Sequence, residues 1–317
     1  MLQALISQFK NKLKKMVSKD IFNLRDTISL TIHKGPINKI SNFPSGNFDT
    51  VSVDKSIQIF DINLQKIQCI EEAHDAAIMN VEVKDEDNFV TCSCDESIKT
   101  WIKKENLFKL NKIIKNAHEN NINHVIYYSN NYIISCSQDE KIKIWEEINN
   151  NYQNITTLDT NFGIFSLMLL NDKNILVSSG KNGTNFWNLN TFEMIMYCKE
   201  TECIWPNLLC RIDEDIIITE SSKFNSLKVI SISEKKIIKE IKHPTYCYAI
   251  YLINDKGMIL VGGQNLSITI YRNDNYECIQ IIKQAHNNSI VGFNQLKNGK
   301  IISYGLDSYI KIWSLNK

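Results

Sequence analysis

A histidine and an aspartate stand 21 residues apart four times in this sequence: His33 and Asp54, His74 and Asp95, His118 and Asp139, His286 and Asp307. In each copy an aromatic residue follows the histidine by 27 residues, at Phe60, Trp101, Trp145 and Trp313. Apolar residues occupy the places four and seven after each histidine, as at Ile78 and Val81 or Ile122 and Val125. Constant internal distances constrain a fold more than local propensity does, because every copy must be the same supersecondary unit. With the frame fixed, three degenerate copies appear. They are Thr160 with Ile164, Leu167, Lys181 and Trp187; Thr201 with Trp205, Leu208, Phe224 and Ile230; and His243 with Cys247, Ile250, Asn265 and Tyr271. The closing position then runs 60, 101, 145, 187, 230, 271, 313, which is seven units at steps of 41 to 44 residues.

Within a unit, short bursts of β-branched and aromatic residues, such as Asn88 to Cys94, Ser97 to Ile102 and Leu107 to Ile114, alternate with Asn, Asp and Lys turns. Four short strands and no long helical period predict one β-sheet blade per unit, and seven blades predict an all-β ring, a β-propeller of four-stranded antiparallel blades. Glycine (11) and proline (4) are scarce in 317 residues, so the turns must lean on Asn and Asp, which tolerate the left-handed conformation. At these residues the chain resembles the WD-repeat (WD40-type) propeller family, whose unit carries Gly-His near its start and Trp-Asp at its end. The resemblance covers residues 24 to 317. It departs from the family pattern where Ala73, Ala117 and Ala285 replace the glycine before the histidine, and where Asp61 alone keeps the acid after the closing aromatic.

The last unit runs out after its third strand. The segment Leu24 to Ile32 looks like those that precede other histidine positions, such as Gln65 to Ile70 and Glu277 to Ile282. It is expected to supply the missing outer strand and close the ring, since an open sheet edge is a liability. Residues 1–20 differ from the rest. Leu2, Leu5, Ile6, Phe9, Leu13, Met16 and Val17 fall on one helical face, with Lys10, Lys12, Lys14, Lys15 and Lys19 elsewhere. This predicts a short basic amphipathic helix or tail. It either lies against the ring, docks on a partner as the N-terminal helix of the β subunit of heterotrimeric G proteins does, touches a membrane, or directs the chain to an organelle.

Lys plus Arg (36) balances Asp plus Glu (35), so no global field favours nucleic acid. No apolar run reaches the roughly 18 to 20 residues of a membrane span, and the apolar start lacks a signal-peptide core with a cleavage site. A cytoplasmic, non-secreted protein with nine reduced cysteines is expected. No Cys-x-x-Cys pair with a matching partner pair stands in the chain, and neither Gly-x-Gly-x-x-Gly nor a phosphate-binding Gly-Lys-Ser/Thr occurs, so no metal and no cofactor is expected.

The histidines and aspartates, with Ser52, Ser93 and Ser137 two places before the aspartate, look at first like a hydrolase triad. A catalytic constellation is single, whereas this one recurs in blade after blade. The resemblance gives it a structural role, as a buried polar chain from His through Asp, Ser and Trp that pins neighbouring strands. An enzyme working in the central channel would need a non-repeated cluster of carboxylates or histidines, and outside the four sets only His243 stands out. The resemblance also implies that places three and five after the histidine, and the place before the turn aspartate, reach the narrow rim. Those places hold Asn38, Met79, Asn123, Gln138, Lys223, Gln264 and the aromatic residues Phe165, Tyr246 and Tyr248, with Trp205 beside them. The aromatics gather in units four to six, where the polar sets are missing. The chain is therefore expected to be a non-catalytic scaffold or adaptor for protein or peptide partners, itself monomeric, with membrane- or organelle-targeted action through the N-terminal helix as the alternative. The aromatics also admit a plainer role in packing the blades together.

Overall fold

The computed structural model describes residues 24–221 and 225–315. The unit around His74 folds into four antiparallel strands, Ile78–Val83, Asn88–Ser93, Ile98–Lys104 and Leu107–Ile114. Its second strand is buried almost throughout, because the sheet is covered on both faces, and its outer strand is largely exposed. Among the described residues there are seven such four-stranded sheets. Blade 1 starts at Ile37–Asn42, blade 3 at Ile122–Ser129, blade 4 at Ile164–Leu170, blade 6 at Cys247–Ile253 and blade 7 at Ile290–Gln295. Blade 5 is the irregular one, with an innermost strand of only two residues, Cys210–Arg211.

The core is divided among the seven interfaces between blades, with one apolar cluster at each. The closing position of every unit packs back onto the preceding blade. Trp101 joins Ile57 and Ile59 of blade 1, Trp145 joins Val90 and Ile98 of blade 2, and Trp313 joins Leu260 and Ile268 of blade 6. This burial is why the position takes bulky side chains, Ile230 and Tyr271 among them. Fully burying one such side chain contributes about 1.5 to 3 kcal/mol.

Ring closure follows the sequence reading. Leu24–Thr31 is the outer strand of blade 7, antiparallel to Tyr309–Leu315, with Arg25 facing Ser314 and Thr31 facing Tyr309. In the other blades the outer strand carries a one-residue bulge opposite the closing residue. Ile67 is skipped between the partners of Ile59 and Phe60, and Asn111 between those of Thr100 and Trp101. The N-terminal strand has the same bulge at Thr27, beside the partner of Trp313. Two hairpins, at Glu105-Asn106 and Asn149-Asn150, hold both central residues at positive φ, the two-residue turn that suits twisted strands. The one helical element among the described residues is the 3-10 turn Asn254–Lys256. The amphipathic segment 1–20 lies outside the described residues.

Candidate functional site

Each turn between second and third strands places an aspartate ahead of a residue in the left-handed conformation: Lys55, Glu96, Glu140 and Ser308 all have φ between 63° and 71°. That turn lifts the carboxylate towards the preceding loop. His Nδ1 lies 3.0 Å from Asp54 Oδ2 in the first set, and 2.9, 2.8 and 2.9 Å from Asp95, Asp139 and Asp307 in the others. The carboxylate also accepts the backbone N–H that follows each histidine, at 2.8 to 3.1 Å.

On its other side the imidazole Nε2 meets a hydroxyl: Thr50, Thr91 or Ser135 at 2.8 Å, Ser303 at 2.7 Å. The indole N–H groups of Trp101, Trp145 and Trp313 donate to the same hydroxyls in their blades. The serine that completes the chain therefore stands four places before the aspartate, not two. Ser52, Ser93 and Ser137 instead accept the aspartate's own N–H and donate to the loop carbonyls of Gly35, Ala77 and Asn120. Burial alone would push the Asp139 carboxyl up, but hydrogen bonds from His118, Glu119 and Lys141 hold it at about 2. Burial lowers His74 and His118, and because a carboxylate only accepts, each ring donates from Nδ1 to its aspartate. The four histidines are at most 4% exposed, and their aspartates are half-buried.

Blades 4 to 6 replace this chain by three different arrangements. In blade 4 the turn loses a residue. Gly180 pairs with Gly183 around Lys181-Asn182, so no residue occupies the aspartate's place, and Trp187 donates to Ser178 nine residues back instead of ten. Thr160 donates to the carbonyls of Glu140 and Phe162, and a hydroxyl ladder runs through Ser179, Thr184 and Thr201. In blade 5 a carboxyl enters the core. Glu220 is wholly buried, one oxygen accepts the Cys247 N–H at 2.8 Å, and the other has no partner. Burial pushes Glu220 up to about 8. In blade 6, His243 Nδ1 lies 2.8 Å from the Tyr271 hydroxyl, and burial takes the ring down to about 4.

Six innermost strands share a bulge, at Asn38, Met79, Asn123, Phe165, Tyr248 and Val291, the place five after the histidine position. A bulge re-aims its side chain. Asn38 and Asn123 use that freedom inwards. Both are buried and donate to the first carbonyl of the next blade, Ile78 O at 2.8 Å and Ile164 O at 2.7 Å, so neither is presented to a partner. Met79 is half-buried against the interface of blades 2 and 3.

Phe165 and Trp205 are half-buried on the interface of blades 5 and 6, and Trp205 meets Tyr248 with ring centroids 5.2 Å apart. Tyr246 is 37% exposed, and its carbonyl accepts the N–H of the exposed Gln264 at 3.1 Å. That carbonyl would lie 1.9 Å from a Cβ at position 263, which explains Gly263. Gln138 is half-buried, and Lys223 lies outside the described residues. The aromatic members thus form a sector across blades 4 to 6, and the polar members of blades 1 to 3 do not join it.

His124 is the other histidine outside the four sets. It sits inside an innermost strand with no spacing signal to mark it, 6% exposed, its Nδ1 accepting the Leu167 N–H. All nine cysteines are free and six are buried. Among the described residues no group of three or more His, Cys, Asp or Glu is placed to hold a metal ion, and no helix is long and apolar enough to cross a membrane. Residues 109–146, from the outer strand of blade 2 to the third strand of blade 3, match the family model of the WD domain, G-beta repeat. No curated protein matches the chain.

Proposed function

The chain belongs to the WD-repeat β-propeller family, and from that premise we propose that it is a non-catalytic scaffold that holds a peptide or protein segment across the rim of blades 4 to 6. Propellers of this kind serve as platforms for protein interaction, because rigid strands keep a ring of loops in register. The observation that carries the reading is the aromatic sector itself. Phe165, Trp205, Tyr246 and Tyr248 keep part of their surface in solvent in the blades that lack the buried His-Asp chain. Partly exposed aromatics on rigid supports are the anchors that dominate interface energetics.

The plainer role, packing between blades, accounts for the buried halves of Phe165 and Trp205 but not for Tyr246. Replacing Phe165 and Tyr246 by Ala separates the two. The interface reading expects a partner captured by the full-length chain to bind at least about tenfold more weakly, with roughly 1.4 kcal/mol lost for each factor of ten, while thermal unfolding moves little. Lost folding with unchanged capture of partner by the folded fraction would overturn it. The free cysteines fit a reducing, cytoplasmic setting. A second reading rests on the apolar face and lysines of residues 1–20, as a targeting or membrane element. Deleting that segment and finding the protein's localisation unchanged would remove it.

A further inference from the structure

The innermost strands converge on the ring axis and line a half-open cavity of about 500 Å³, within the range of small-molecule sites. Two side chains of opposite charge line it, Lys39 from blade 1 and Glu82 from blade 2. Lys39 Nζ donates to Asn207 Oδ1 at 2.9 Å. Among the described residues neither Lys39 nor Glu82 forms an ion pair, and the Glu82 carboxylate has no hydrogen-bond partner. Both side chains are half-buried, and a charge held partly out of water without a counter-ion is costly. Burial lowers Lys39 and raises Glu82, and their mutual attraction only partly offsets this. Asp49, the other acid felt by Lys39, is wholly buried, burial pushes its carboxyl well up, and its Oδ1 accepts the Ser41 N–H at 3.1 Å.

A third group completes the set. His124 also lines the cavity, and because its Nδ1 accepts the Leu167 N–H at 3.1 Å, the ring proton sits on Nε2, which has no partner among the described residues. Apolar walls are supplied by Ile126, Met168, Leu169 and Phe293. The site thus offers one free carboxyl, one amine that already donates to Asn207 and one free imidazole N–H, in a cavity lined by one acid and one base.

We propose that this cavity binds a free α-amino acid as its zwitterion. The ammonium group meets Glu82, the carboxylate is held by Lys39 and the His124 Nε2–H, and an apolar side chain lies against Ile126, Met168 and Leu169. A ligand carrying both charges supplies each side chain with the counter-ion it lacks, and charge-assisted hydrogen bonds of this kind are the strong ones. A simple amine or a simple acid satisfies only half of the set. No residue of the rim sector takes part, so the site stands or falls separately from the rim reading.

Calorimetric titration of the full-length chain tests it, with leucine and phenylalanine as probes beside isopentylamine and 4-methylpentanoate, which keep leucine's side chain but one charge each. The expected result is saturable binding of at least one of the two amino acids, with both one-charge analogues at least about tenfold weaker and Glu82→Gln and Lys39→Met each weakening it at least about tenfold. Should either variant fail to fold, the analogue series on the native chain decides alone. No binding of either amino acid at about 10 mM, an analogue binding as tightly as leucine, or folded variants that bind unchanged would overturn the proposal.

Discussion

Glu220 shows how one residue records a change of role. At its place, facing the next blade, blades 2 and 3 carry Cys92 and Cys136, whose thiols donate to carbonyls of the following innermost strand. Blade 5 puts a carboxyl there, wholly buried, with one oxygen bonded to the Cys247 N–H and the other without a partner. Its folded value of about 8 lies above the ordinary 4.5. Between those two values the folded chain holds a proton that the unfolded chain has released, so stability falls as pH rises through that window. Glu220→Gln keeps an acceptor for Cys247 and removes the charge. It is expected to stabilise the protein by on the order of 1 to 3 kcal/mol near pH 8 and by little near pH 4. Denaturant melts of both chains at the two pH values check this, and equal gains at both would contradict it. The sequence could not show this carboxyl's burial, since nothing in its neighbourhood repeats. His33, His74, His118 and His286 were legible for the opposite reason, four copies at one spacing. The hydroxyl partner was misplaced by two residues because serines stand at both positions in blade 3, at Ser135 and Ser137, and spacing alone does not tell a chain member from a turn cap.

Among the elements, the outer strands carry the most instructive pattern. Each presents an edge to solvent, and each bears a bulge opposite the closing residue, at Ile67, Asn111, Ile155, Ile195, Ile238, Ile279 and Thr27. A bulge disturbs the ladder and blunts an edge against pairing with another chain. The seventh member belongs to the N-terminal strand, so the two ends of the chain meet in a pairing that repeats the geometry of the other six. The sequence announced this strand by its likeness to other outer segments, but not the bulge, which arises from twist and packing around the closing side chain. Removing residues 1–31 strips that strand and leaves Tyr309–Leu315 as a bare edge. The truncated ring is expected to lose roughly 3 kcal/mol or more, about 5 °C or more in melting temperature for a chain of this length, and to associate through the new edge. Thermal unfolding with light scattering checks this. Equal melting of both chains would mean that the closure contributes nothing.

Across the whole molecule the polar chains and the aromatics divide the ring into two parts. Blades 7, 1, 2 and 3 are held by four copies of one buried hydrogen-bond chain, each bond contributing about 1 kcal/mol net, and an orphaned partner costing about 1 to 3. Blades 4 to 6 substitute a shortened turn, a buried carboxyl and a His-Tyr pair, and carry half-exposed aromatics at the rim. The periodicity made the ring legible because it is a property of the backbone spacing. The sector was legible only as a gap in the pattern, and which rim residues face solvent was not, because the shared bulge turns Asn38 and Asn123 into interblade clamps while leaving part of Phe165 and Tyr248 uncovered. On the proposed reading, one arc supplies rigidity and the other recognition. Hydrogen exchange of the full-length chain, alone and with the protein it captures, measures that division directly. Slowed exchange at 163–165, 205–206 and 246–248, with the other blades unchanged, is the predicted result, and protection confined to blades 7, 1, 2 and 3 would contradict it.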